Sequence, residues 1–202
     1  MHKIPAQREQ QTLLARGRRL EYLTIAWNSL EAVVALLSGV VSGSVALVGF
    51  GLDSLIETTS AVVVLWRFGD ERREQMAQQL IGAGFLVLAI YVATESARAL
   101  WTGAEPERSL PGILIACAAL IVMPLLARAK RRVAAQLGSG ALHSDSRQAD
   151  FCAWLSAVLL AGLLLRWLLG WWWADPAAAL VMVPIIAREG VQGMRGKKCA
   201  CE

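Results

Sequence analysis

Asp53 and Glu57 stand four residues apart in a run from Gly43 to Trp66 that is otherwise apolar or small. On a helix this spacing puts both acids on one face, about one turn apart. A carboxylate at bilayer depth costs at least ~2.5–3.5 kcal/mol, so it faces a partner, an ion or water. Two oxygen ligands on one helix face suit a divalent cation.

A second polar group opens a later apolar run, in the sequence Leu142-His143-Ser144-Asp145-Ser146-Arg147-Gln148-Ala149-Asp150. His143, Ser146 and Asp150 fall within a sector of about 60° on a helix, and Asp145 lies off that face. Asp150 is the deepest of them and has no basic residue one turn further in, so it is expected to be functional. His143 and Asp145 read first as a polar stretch at the interface. Asn28 and Glu31, three apart, share a face of an earlier run. They either contribute to a site or form an inter-helix hydrogen bond beside a protonated acid. Glu95 and Arg98, also three apart, are expected to pair with each other. Cys117 and Cys152 read as small buried hydrophobes. Cys199 and Cys201 form a two-thiol tail, below the usual count for a closed zinc site; an inert tail is favoured over accessory metal capture.

The elements that carry these residues are membrane helices. Apolar residues make up 56% of the 202-residue chain and charged residues 18%, and the mean hydropathy is +0.48. Spans are predicted at Leu23–Val41, Val45–Trp66, Leu80–Trp101, Leu110–Ala127 and Ala149–Trp167, the fifth extended as helix back to Leu142. A sixth, Pro176–Ala187, falls short of the ~20 residues a crossing needs. It reaches that length only with Trp171-Trp172-Trp173 as its interfacial end, and Asp175-Pro176 reads as its N-cap and first turn. The expected fold class is all-α, an integral membrane bundle of six transmembrane helices. Residues 1–22 form an N-terminal arm, 23–189 the bundle and 190–202 a short tail. The polar N-terminus has no cleavable signal core.

Seventeen of the 20 basic residues flank one side: Lys3 to Arg19, Arg67 to Arg73, Arg128 to Arg132 with Arg147, and Arg188 to Lys198. Both termini are therefore expected to be cytoplasmic. The basic residues flank spans rather than forming one patch, which excludes nucleic-acid binding.

Ser42-Gly43-Ser44-Val45-Ala46-Leu47 followed by Asp53-Ser54-Leu55-Ile56-Glu57 resembles the second-span signature of the cation diffusion facilitators. Asn28 matches a recurrent first-span asparagine, and Ala174-Asp175-Pro176 resembles the start of the family's sixth span. The resemblance runs from about Thr24 to Ala187. It implies a homodimeric six-span antiporter that exports a divalent cation from the cytoplasm in exchange for protons; the basic loops and the lack of a targeting signal suit a bacterial inner membrane. It implies a four-ligand site in which Asp53 and Glu57 are one pair and Ser146 and Asp150 the other. Glu57 stands where aspartate is usual, and Ser146 where histidine or aspartate is usual. His143, Asn28 or Glu31 is then left to complete the shell. The family's C-terminal metal-binding domain has no counterpart in these residues, so regulation through it is not carried over. Zinc leads on family frequency, whereas an oxygen-rich set leaves manganese, iron or cobalt open.

No resident cofactor and no enzymatic activity are expected. A metal-dependent membrane phosphotransferase would want phosphate-binding Arg or Lys beside the acids, and none adjoins Asp53 or Glu57. A non-transporting metal-sensing or assembly subunit is the remaining reading.

Overall fold

The structure, a computed structural model, describes residues 3–66 and 71–195. These form six α-helices: α1 Lys3–Ser42, α2 Val45–Trp66, α3 Glu71–Thr102, α4 Leu110–Leu137, α5 Gly140–Leu169 and α6 Ala174–Met194. All six are long and apolar enough to cross a membrane, and among the described residues there is no strand. The expected all-α six-helix membrane bundle is the observed fold.

The helix boundaries follow local chemistry. Ser109 and Ser139 cap α4 and α5, each hydroxyl accepting a backbone N–H three residues on, from Gly112 (3.1 Å) and Leu142 (3.3 Å). Gly138 closes α4 in the left-handed region, at φ 63°. The sixth helix differs from expectation. It spans 21 residues and gains its length at the C-terminal end, running through Arg188 and Glu189 to Met194. The Trp171–Trp173 run is the turn before it, with Trp171 and Trp173 stacked at 5.0 Å between ring centroids. Nor does Asp175 cap its own helix. Its carboxylate accepts the Ser44 hydroxyl and the N–H groups of Val45 (3.0 Å) and Ala46 (3.5 Å). It thus satisfies the open amides at the start of α2 and ties that helix to the start of α6. The reason is that α6 begins at Ala174, which places Asp175 inside the first turn, pointing across rather than along the helix.

The second helix is the centre of the bundle, packing on α1, α3, α5 and α6. In its membrane segment 56% of residues are buried, against 28–33% in the other five. Its first half is small enough to admit close neighbours. A Cβ at Gly51 would lie 2.7 Å from Leu36, and one at Gly39 of α1 would lie 2.8 Å from Val48. Gly39 is covered by this chain's own α2, and Gly43 lies in the α1–α2 turn at φ 69°. Gly82 and Gly190 allow an equally close approach of α3 and α6.

Contacts between distant parts of the chain define two ends. At one, the N–H of Glu107 donates to the Ser42 carbonyl (2.7 Å), Arg166 donates to that of Pro106 (2.9 Å), and Asp175 meets Ser44. At the other, Glu21, Lys130 and Asp145 meet, and Ser60 donates to Gln148 (2.9 Å). The helices therefore alternate in direction, and the start of α1 and the end of α6 share a face. Leu37, Val40, Ile90, Leu114, Ile121 and Leu168 are among the large apolar side chains left on the outside, as a lipid-facing wall requires.

Candidate metal centre

Two turns into α2, the face that carries Asp53 and Glu57 points inward, and both acids are buried. Opposite them on α5 is Cys152, fully buried. One carboxylate oxygen of each acid and the Cys152 sulfur all lie within 4.8 Å of one another. From α1, Asn28 Nδ2 donates to Glu57 Oε2 at 2.9 Å. Glu31, one turn further along α1, accepts from the Cys152 thiol with Sγ 3.8 Å from Oε1. Asn28 and Glu31 are both fully excluded from solvent. Three helices thus bring five polar side chains to one point in the apolar interior.

The hydrogen bonding of this point is incomplete. Asn28 Oδ1 and Glu31 Oε2 are buried without a hydrogen-bond partner, a state that buried polar atoms of native proteins rarely hold without an ion or water to satisfy them. Among the described residues, neither Asp53 nor Glu57 is in an ion pair with a base. On α6, Glu189 lies within electrostatic range of Asp53 and of Arg147 and Arg188, and its Oε2 is buried and unpartnered. Acids gathered in a low-dielectric interior without counter-charge repel one another. A divalent cation or protons would neutralise them.

The expected site residues divide. Asp53, Glu57, Asn28 and Glu31 are brought together. The fifth-helix set is not. Asp150 is 38% exposed and is paired with Arg131, also 38% exposed. Ser146 turns back to donate to the His143 carbonyl (2.6 Å), and the His143 side chain is exposed. The register explains this. Cys152 faces α2, and Asp150, two residues away, points about 200° from it. Ser146 is buried too, with its hydroxyl turned to its own helix; among the buried positions Asp145, Ala149, Cys152 and Ser156, a repeat of three and four residues, Cys152 is the one grouped with Asp53 and Glu57. Cys152 packs in the core as its type suggests and is a ligand candidate as well; the signal that could have found the second role is its spacing from Asp145. Cys199 and Cys201 lie outside the described residues.

A second buried charged group also has no counterpart among the sequence expectations. The Lys130 ammonium, on α4, donates to Asp145 of α5 and to Glu21 of α1 at 3.2 Å, with all three side chains buried. The sequence pattern puts Lys130 among the loop cations and Glu21 in the arm. Both are inside because α1 and α4 are longer than the apolar runs within them. Arg98 and Glu95 do pair, at 3.8 Å.

A cation efflux transmembrane domain matches residues 22–195, and the chain belongs to that family. It is 26% identical over 174 residues to an uncharacterized transporter of Synechocystis sp., covering 79% of this chain and 56% of that protein. It is 29% identical over 145 residues to transmembrane protein 163 of Xenopus laevis, covering 68% and 51%. It is 22% identical over 169 residues to the cation-efflux pump FieF of Shewanella oneidensis, covering 77% and 57%. The chain spans about half the length of the curated relatives it matches.

Proposed function

We propose that this chain carries a divalent transition-metal cation, zinc or a related ion such as iron, manganese or cobalt, out of the cytoplasm in exchange for protons. The observation that carries the reading is the uncompensated pair Asp53 and Glu57, buried beside Cys152 in the most enclosed helix of a cation-efflux domain. Bound metal needs the acids deprotonated, so cation and protons compete for the same oxygens. A cation arriving from one side displaces protons, and protons arriving from the other displace the cation. Rocking of the helices around a fixed site, as in other transporters, would expose it to each side in turn. Asp175 at one end and the Lys130 cluster at the other tie α2 and α5 to neighbours that would have to follow that movement.

The reading includes a homodimer in a bacterial inner membrane with both termini in the cytoplasm. The shared face of the α1 start and the α6 end supports that placement of the termini. A metal panel tests the transport reading in proteoliposomes under an imposed pH gradient. Metal flux coupled to opposing proton flux is expected. Metal binding without flux would instead indicate a sensing or assembly subunit.

A further inference from the structure

Cys152 belongs to the apolar core, as its type suggests, and also borders the acids of α2. Its sulfur lies within 4.8 Å of an oxygen of Asp53 and of Glu57 and 3.8 Å from Glu31 Oε1, so three carboxylates surround it. Cys117, by contrast, is only partly buried on α4 and belongs to no such group. The surroundings of Cys152 also hold unsatisfied polar atoms. Glu31 Oε2, Asn28 Oδ1 and the Trp27 indole nitrogen are buried without a hydrogen-bond partner. Three carboxylates, a thiol and unsatisfied polar atoms gathered in an apolar interior suit a cation better than a methyl group.

We propose that Cys152 is a direct ligand of the cation held by Asp53 and Glu57. On this assignment it sets the site's preference for thiophilic divalent cations, the zinc and cadmium class, over the oxygen-preferring manganese class. The proposal rests on the transport reading for its physiological meaning, but not for its chemistry. In a zinc site of mixed donors the sulfur lies ~2.3 Å and carboxylate oxygens ~2.0–2.2 Å from the metal. Ligand atoms of such a tetrahedron are then ~3.3–3.8 Å apart. The observed grouping, within 4.8 Å, is about 1 Å wider than that spacing. Coordination replaces the S–H bond by an S–metal bond and releases one proton. Asn28 keeps its hydrogen bond to Glu57, which holds the second oxygen of that ligand in place. Two oxygens and one sulfur form a softer set than the all-oxygen shell that manganese and magnesium favour. The fourth position is open to water or to Glu31.

The test uses full-length protein in detergent with Cys117, Cys199 and Cys201 replaced by serine, so that Cys152 is the one thiol left. Cadmium alone is the probe, read by the ultraviolet charge-transfer absorption of a thiolate–cadmium bond. The band is expected to saturate at one cadmium per chain. Zinc should compete it away at far lower concentration than manganese, and Asp53→Asn should weaken it at least tenfold. Cys152→Ser should abolish the band and lower cadmium affinity at least tenfold, while manganese affinity moves less than threefold. If cadmium binds stoichiometrically with no charge-transfer band, the proposal is overturned, and this readout needs no substitution at Cys152. In vesicles, a Cys152→Ser protein that transports with an unchanged cadmium-to-manganese ratio overturns it while leaving transport intact. A charge-transfer band without flux of any metal sustains the ligand assignment and sinks the transport reading instead.

Discussion

At the residue scale, the two acids of α2 differ from the ion-paired groups of the bundle. The Lys130 ammonium lies between Glu21 and Asp145 and offsets one of those two acids, and Asp150 has Arg131. Asp53 and Glu57 have only an amide, a thiol and further acids. Asp53→Asn and Glu57→Gln are therefore expected to keep the fold, since each removes a buried charge that costs stability, and to abolish metal flux. Thermal unfolding in detergent, set beside vesicle flux, checks both halves; normal flux in Asp53→Asn would remove this site from the mechanism. Glu57→Asp should retain flux, because a carboxylate stays within a methylene of its place. Asp150→Ala separates the sequence-derived ligand set from the one the structure assembles. Cadmium affinity should change less than threefold, because the Asp150 carboxylate is half exposed and held by Arg131. The Asp53/Glu57 pair was legible in the sequence because two acids one helical turn apart in an apolar run are costly unless they bind something. Cys152 was not, because a cysteine among leucines looks the same whether it packs or ligates. The fifth-helix register was not legible for a related reason. His143, Ser146 and Asp150 share a face, as expected, but the sequence does not say which face of α5 meets α2.

At the scale of elements, what holds the helices in register is a pair of polar ties. Lys130 joins α1, α4 and α5, and its partners Glu21 and Asp145 lie 109 and 15 residues away in sequence. No local pattern could reveal the longer tie. Lys130→Met would leave two buried acids without a counter-charge. The expected loss is about 3–5 kcal/mol, the usual cost of breaking a buried ion pair from one side. Adding Glu21→Gln and Asp145→Asn to Lys130→Met should recover much of that loss, because no buried charge then remains. Denaturant unfolding of the single and triple variants checks the sign of the recovery. At the opposite end, Asp175→Ala strips the start of α2 of its acceptor for Ser44, Val45 and Ala46. An unsatisfied buried donor costs about 1–3 kcal/mol, so a clear drop in thermal stability is expected. Asp175→Asn should lie between, because an amide oxygen still accepts. A variant as stable as the parent would show that the amides of α2 find another acceptor.

At the scale of the whole molecule, six alternating helices put the start of α1 and the end of α6 on one face, and the basic residues concentrate on that same face. Arg128, Arg131 and Arg132 lie near the end of α4, Arg147 near the start of α5 and Arg188 and Arg195 near the end of α6. Lys130 does not contribute to that surface charge, since it is spent inside the bundle on Glu21 and Asp145. Among the described residues, the thirteen others on that side still outweigh Arg98, Arg108 and Arg166. Arg166 and Arg108 lie at the Asp175 end, where Arg166 reaches Pro106 and Arg108 covers the Trp167 ring at 5.8 Å. Short loops rich in Arg and Lys stay in the cytoplasm, so the Lys130 end is expected to face the cytoplasm and the Asp175 end the opposite compartment. A membrane-impermeant thiol reagent applied to intact cells should then fail to label Cys199 and Cys201, in a background where Cys117 and Cys152 are serine. A cysteine placed at Glu105, exposed in the α3–α4 connection, should label readily in a protein with no other thiol. The two experiments must give opposite answers, because an even number of crossings separates the tail from the start of α1 and an odd number separates it from that connection. Labelling of the tail with silence at residue 105 would invert the molecule. The Asp175 end would then be the side open to the cytoplasm, while the direction of exchange would still follow the two gradients, because counter-transport moves the cation opposite to the protons whichever end faces inward.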